Sequence, residues 1–317
     1  MKLINTVVTV VFLLASQFAY SGDEIDQTLE VTATGEVAIE NLRGKVKIVG
    51  WQQNKVHVSG ELDDKAKGYE FETDDGYTIF KVKMPRNMKS RQFKNTQGSD
   101  LTIKLPVDSK VTFESVNGDV TVSDVKGGAK IHTVNGNIKA TSLNKRIELT
   151  TVNGNINAKK LDGKFQLSTV NGRVKDRDST GKAHFETVNG SINSNTQAKS
   201  ITVENVNGSI DLDLPKVAEL EIATVNGEVD AKLVLLADAQ IDITSVSGST
   251  DLNLSGEIGG DYRLNSHAGG RIRNALTDDA VKKQKYGPSR SARFSIAGGD
   301  AKVEITSVSG DISIDGK

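Results

Sequence analysis

Ten four-residue corners punctuate the chain at a nearly fixed interval. Ser115-Val116-Asn117-Gly118 recurs as Thr133-Val134-Asn135-Gly136, Thr151-Val152-Asn153-Gly154, Thr169-Val170-Asn171-Gly172, Thr187-Val188-Asn189-Gly190, Asn205-Val206-Asn207-Gly208 and Thr224-Val225-Asn226-Gly227. Five glycine intervals are 18 residues and the sixth is 19. Ser245-Val246-Ser247-Gly248 follows, then the degraded copy Ser266-His267-Ala268-Gly269 and finally Ser307-Val308-Ser309-Gly310. A short fixed period restricts a chain to architectures in which each unit completes its core on its neighbours.

Alignment on the glycines gives the unit's shape. Seven residues before each stand Val111, Ala129, Ile147, Phe165, Ala183 and Ile201; five before stand Phe113, Ile131, Leu149, Leu167, Phe185 and Val203. Two after come Val120, Ile138, Ile156, Val174, Ile192 and Ile210, with mostly polar residues between these columns. Apolar columns at a local period of two predict strands with one buried face. Eighteen such residues cannot hold themselves together, so the coils must stack about 4.8 Å apart as parallel ladders. The predicted fold is all-β: a single-stranded β-solenoid, right-handed and parallel β-helix-like, with 18-residue coils. No six-residue subperiod of the left-handed kind is present.

The recurrent Asn117, Asn135, Asn153, Asn171, Asn189, Asn207 and Asn226 predict a structural ladder at the corners. Asn and Gly tolerate the positive φ of a sharp turn, and stacked amides can hydrogen-bond from coil to coil. An amide-lined binding stripe is the alternative, and it requires those side chains to point outward. No proline lies between Val107 and Leu214, as suits fully paired strands, and Pro215 marks the first slip in spacing.

The remainder of the chain divides around this array. Lys2, the apolar run Val7–Ala15 and Ala19-Tyr20-Ser21 predict a secretory signal peptide over 1–21, since the run is far short of the roughly 20 residues that cross a bilayer. Residues 22–110 are expected to be a β-rich N-terminal region capping the solenoid, 111–254 the regular coils, and 255–317 irregular coils with a basic loop at 274–292. A short helix is expected over Thr277–Lys285, and a second exposed basic loop over Arg86–Ser99. The expected location is exported, periplasmic or at the cell surface.

Composition narrows the chemistry. With no cysteine, disulfides, thiolate metal sites and cysteine nucleophiles are excluded. A net charge of −1 gives no reason to expect nucleic acid. Four histidines, His57, His132, His184 and His267, form no Ser-His-Asp or metal-ligand spacing, and no cofactor motif is present. Asp211, Asp230 and Asp251 stack three positions past successive corners; such carboxylates repel one another, so they either bind a cation or have raised pKa values, and a solvated outer face is the favoured reading. Lys282, Lys283, Lys285, Arg290 and Arg293 are the candidate contact residues for an anionic ligand, against the simpler reading of a solvated loop.

Asn41-Leu42-Arg43-Gly44-Lys45-Val46-Lys47-Ile48-Val49-Gly50-Trp51, Leu101-Thr102-Ile103-Lys104-Leu105-Pro106, the serial Val-Asn-Gly corners and the closing Ser-Val-Ser-Gly-Asp-Ile-Ser-Ile together resemble the bacterial DUF4097 group. The resemblance covers nearly the whole chain after the leader. It implies a β-solenoid of exported or envelope proteins, labelled adhesins by architectural analogy, and it supplies no catalytic residues. The expected function is a non-enzymatic exported scaffold or recognition module that contacts an envelope component, a glycan or a protein. The alternatives are a polysaccharide-active β-helix enzyme and a self-assembling structural protein.

Overall fold

The structure is a computed structural model that describes residues 24–86 and 96–316; the expected signal peptide over 1–21 and part of the expected basic loop over Arg86–Ser99 lie outside the described residues. Among the described residues every regular element is a strand. The first seven are β1 (Glu24–Glu30), β2 (Glu36–Glu40), β3 (Arg43–Trp51), β4 (Lys55–Glu61), β5 (Tyr69–Asp74), β6 (Tyr77–Val82) and β7 (Ser99–Pro106). The repeats supply β8 (Lys110–Ser115), β9 (Asn117–Ser123), β10 (Ala129–Asn135), β11 (Ile138–Thr141), β12 (Asn144–Asn153), β13 (Ile156–Lys159), β14 (Asp162–Asn171), β15 (Val174–Arg177), β16 (Thr180–Asn189) and β17 (Ile192–Asn195). Strand β18 (Ser200–Ser247) then runs on round successive coils, followed by β19 (Thr250–Ser255), β20 (Gly260–Ser266), β21 (Ile272–Asn274), β22 (Lys282–Lys283), β23 (Arg290–Ile296), β24 (Ala301–Ser307) and β25 (Ile312–Gly316).

Through the repeats each coil contributes one strand to each of two parallel ladders. β8, β10, β12, β14, β16 and β18 stack on the long-strand side, which we call sheet I; β9, β11, β13, β15, β17 and β18 stack on the other, sheet II. Register follows the repeat residue by residue, with Ile147 beside Phe165 and Ile156 beside Val174. The apolar columns are buried, and Phe113, Ile131, Leu149, Ile156, Phe165 and Val203 have no exposed surface. The chain is thus an all-β solenoid with its core between the two ladders.

At both ends, stacking order departs from chain order. Strands β2 and β3 lie between the coil β6–β7 and the coil β8–β9: Val37 is beside both Thr78 and Val111, and Val46 beside both Leu101 and Val120. At the other end, β24 and β25 are inserted between the coil ending in β19 and the coil β20–β21, with Val303 beside Ile241 and Tyr262. The degraded corner near His267 therefore belongs to the outermost coil. Antiparallel strands finish the stack: β5 on β6, β4 and β1 beyond β7, and β23 with β22 beyond β20. They blunt open edges that would otherwise template further strands.

Two local expectations are corrected. Over Thr277–Lys285 there is no helix. Asn274 Oδ1 accepts the N–H groups of Leu276 and Thr277, closing a tight turn, and Lys282–Lys283 pair antiparallel with Arg290–Ser291; two turns of helix are marginal alone, whereas a ladder position is available. The later corner glycines Gly208, Gly248 and Gly269 adopt positive φ, whereas Gly136, Gly154, Gly172 and Gly190 at the regular corners do not. Glycine is required there by close stacking, because a Cβ on Gly154 would lie 1.9 Å from the Gly136 carbonyl oxygen. In these coils the left-handed residues sit at the second turn: Asp124, Ser142, Lys160 and Asp178, at φ of 60°, 55°, 55° and 55°.

Candidate functional site

Three exposed features run along the stack. At the corner, the asparagines form a continuous amide ladder: Nδ2 of Asn135 donates to Asn117 Oδ1 at 2.8 Å, and the pattern repeats through Asn153, Asn171, Asn189, Asn207 and Asn226 at 2.8–3.1 Å. Ser247 Oγ continues it by donating to Asn226 Oδ1 at 2.6 Å. All seven asparagines are exposed, so each ladder bond leaves amide hydrogen-bonding capacity facing solvent. Two residues earlier, Thr133, Thr151 and Thr169 turn inward and donate to the carbonyls of Gly118, Gly136 and Gly154.

Between the inward threonine and the exposed asparagine stands an outward valine. Val116, Val170, Val206, Val225, Val246 and Val308 are 37–44% exposed, and Val134, Val152 and Val188 are half-buried. They form an apolar rib beside the amide ladder, and shallow concavities open along its flank. One of about 420 Å³ is lined by Glu114, Val116, His132 and Val134 among others, and another of about 240 Å³ by Glu186, Val188, Glu204, Val206 and Val225. This rib is not among the sites expected from the sequence. Strict alternation gives it away, because a buried threonine forces its successor outward.

On sheet II the outward positions sort by charge. The coils of β11, β13 and β15 carry Lys139, Lys159, Arg173, Lys175 and Arg177. The coil of β17 presents Ser191, Asn193 and Asn195, and the next three carry Asp211, Asp213, Glu228, Asp230 and Asp251, with Lys232 the single cation. Asp230 lies directly beside Asp251. The Asp251 carboxyl is pushed up by partial burial first and then by Asp230 and Glu228, while the Ser313 side chain pulls it down. Among the described residues no three His, Asp or Glu side chains converge as a metal site.

The five C-terminal basic residues lie in one hairpin without converging on one point. Lys282 and Lys283 are exposed on β22, and Lys285 Nζ sits 5.4 Å over the ring of the exposed Tyr286. Arg290 clamps the outermost corner, donating to the carbonyls of Gly269 and Gly270 at 2.8 Å each. Arg293 is exposed opposite Arg263. The histidines are dispersed: His57 stacks on Trp51, His184 lies 4.0 Å from Glu204 Oε1, His132 flanks the valine rib, and His267 is at the C-terminal end.

One buried acid interrupts the core. Asp176 is 1% exposed in a column otherwise filled by residues such as Ala140, Ala158 and Leu212. Ser179 Oγ donates to its Oδ1 at 2.5 Å, and Ser194 Oγ lies 3.4 Å from Oδ2. Burial pushes this carboxyl up to about 6 against the pull of the Ser179, Thr196 and Ser194 hydroxyls. No helix among the described residues is long and apolar enough to cross a membrane.

No curated protein matches the chain. Solved structures similar to it include proteins provisionally described as adhesins from Parabacteroides merdae and Bacteroides fragilis. The first is 8% identical with a TM-score of 0.39, covering 94% of this chain and 98% of that one. The second is 13% identical with a TM-score of 0.37, covering 93% and 97%. A third, provisionally described as a cell adhesion protein from Clostridium sporogenes, is 11% identical with a TM-score of 0.27, covering 93% and 100%. Residues 39–315, from β2 to the last strand, match the family described as Toastrack DUF4097, and the chain belongs to that family.

Proposed function

We propose that the chain is an exported, non-enzymatic recognition scaffold whose valine and asparagine corner holds a linear glycan of the cell envelope. The observation that carries this reading is the pairing of two exposed columns in register: an apolar rib and an amide ladder, each advancing one residue per coil. A surface with one repeat of about 4.8 Å along a straight axis suits an unbranched polymer better than a compact ligand. Amides with spare donors and acceptors suit hydroxyl-rich groups, and the valines supply apolar contact. Export rests on the leader over 1–21, which lies outside the described residues.

An array of immobilised envelope and plant polysaccharides tests it. The expected result is retention on one or more linear glycans, weakened at least tenfold by Val170→Asp with Val206→Asp and unchanged by Asn157→Asp on sheet II. Release of new reducing or unsaturated ends would convert the reading to that of a glycan-active enzyme. Absence of retention across the array would overturn glycan recognition.

A further inference from the structure

We propose that two copies of this chain pair side by side, antiparallel, through the outer face of sheet II, with the cationic coils of one lying on the anionic coils of the other. This surface is separate from the valine and asparagine corner and independent of what that corner holds.

The argument begins with the order of charges along the stack. Three consecutive coils present only cations on this face: Lys139, then Lys159, then Arg173, Lys175 and Arg177. One coil follows with no outward charge, offering Ser191, Asn193 and Asn195. The next three are anionic, with Asp211 and Asp213, then Glu228 and Asp230 partly offset by Lys232, then Asp251. A twofold axis lying along the neutral coil keeps each column and reverses the coils, so that Lys175 meets Asp211, Arg177 meets Asp213 and Lys139 meets Asp251, while Lys159 faces Lys232 in a coil whose Glu228 and Asp230 leave it net anionic. Every cationic coil then meets an anionic one. A surface whose two halves exchange under a half-turn is what an isologous contact needs.

A second observation separates this face from its counterpart. On sheet I, cations and anions of neighbouring strands are already matched within the chain, as in Lys110–Glu36, Lys81–Glu40 and Lys130–Glu148. On sheet II, the ion pairs found among the described residues include none of the cations or anions of these seven coils. Like charges are stacked at strand spacing, which is unfavourable in the lone molecule. The upward push on the Asp251 carboxyl from Asp230 and Glu228 is one expression of that repulsion. A partner of opposite sign relieves it, and a second copy supplies both signs in the required order.

The contact is bounded. Beyond the seven coils the half-turn would set Asp119 against Asp311, whose carboxylate already accepts two bonds from the Arg271 guanidinium, so complementarity ends there. Seven coils at about 4.8 Å and three outward columns make a strip of roughly 34 Å by 20 Å, or about 700 Å² per copy, slightly under the ~800 Å² of a stable interface. Such pairing is weak, reversible and screened by salt.

Sedimentation velocity on residues 22–317, which carry every described strand, tests this. In 20 mM salt the expected result is a concentration-dependent dimer, lost in 500 mM salt. Lys175→Glu with Arg177→Glu sets acids against the partner's Asp211 and Asp213, and Asp211→Lys with Asp213→Lys sets bases against the partner's Lys175 and Arg177. Each double variant alone is expected to dimerise at least tenfold more weakly, while an equimolar mixture of the two recovers the dimer. Circular dichroism and melting curves monitor the fold, which these exposed positions leave intact. Monomer at every concentration in low salt would overturn the proposal, as would a dimer indifferent to either variant or a mixture that fails to recover. A monomer retained on an anionic resin through Lys175 and Arg177 would reassign the cationic coils to an anionic polymer.

Discussion

The middle of the solenoid and its two ends solve the same packing problem by different routes. Between β8 and the first coil of β18, each residue pairs with the one 18 positions along, so every coil docks on the coil just made. At the ends the partners are remote: Val37 pairs with Val111, and Ile241 with Val303. Local closure costs little chain entropy and can propagate from any coil; remote closure must wait for a distant segment. In the middle, then, order comes from repetition, whereas at the ends it comes from a strand inserted out of turn.

The largest test of that contrast is a pair of deletions. Ending the chain at Gly299 removes β24 and β25 and leaves β20–β23 without their support. The C-terminal coils are expected to lose protection in hydrogen exchange, and the melting temperature to fall steeply. Excising residues 155–172 removes one whole coil and rejoins equivalent positions, so the rest should restack with little loss. Equal losses in the two deletions would erase the distinction between middle and end.

Single substitutions sharpen it within a coil. Ile156→Asp places an unpaired charge between ladders and is expected to cost more than about 4 kcal/mol in denaturant unfolding. Gly154→Ala drives a methyl into the Gly136 carbonyl and is expected to cost about 3 kcal/mol. Gly298→Ala, in a terminal turn with open space but a φ of 106°, should cost only about 1 kcal/mol.

Asp176 gives the pH dependence of the middle. Its folded carboxyl, at about 6, is harder to ionise than the same group in an unfolded chain, near 3.8. The protonated form therefore favours folding: its contribution is complete below about pH 3.8, is lost as pH rises through about 6, and levels off above. Asp176→Asn is expected to stabilise by about 2 kcal/mol at pH 7.5 and to change nothing at pH 3.5. A variant less stable than the parent at pH 7.5 would show that the carboxylate is satisfied by Ser179 and its neighbours. The smallest effect belongs to Asn157→Asp on the solvated face, within about 0.5 kcal/mol.

What could be read from the sequence follows from these two regions. The repeat announced its ladders, its inward columns and its corner asparagines because each coil repeats one local pattern. The insertion of β2–β3 and β24–β25 was not legible, since alternation says which face is buried but not which strand lies alongside. A faint signal was available: Arg43-Gly44 falls in register with Asn117-Gly118, marking a worn corner. Near His267 one extra residue shifts the glycine, so that Gly270, not Gly269, lies over the Gly310 carbonyl. The acidic column is legible from the corner spacing, while the opposing run of Lys139, Lys159 and Lys175 is not, because sorting of charge along a face emerges only when the coils are superposed.

The inserted final coil gives synthesis a direction. As the chain emerges, coils up to β19 can accumulate one upon another like courses of masonry, but β20–β23 have no bed until residues 301–316 arrive and slide beneath them. Residues 301–316 are thus a keystone, and β20–β23 stay pliable until that segment has been made.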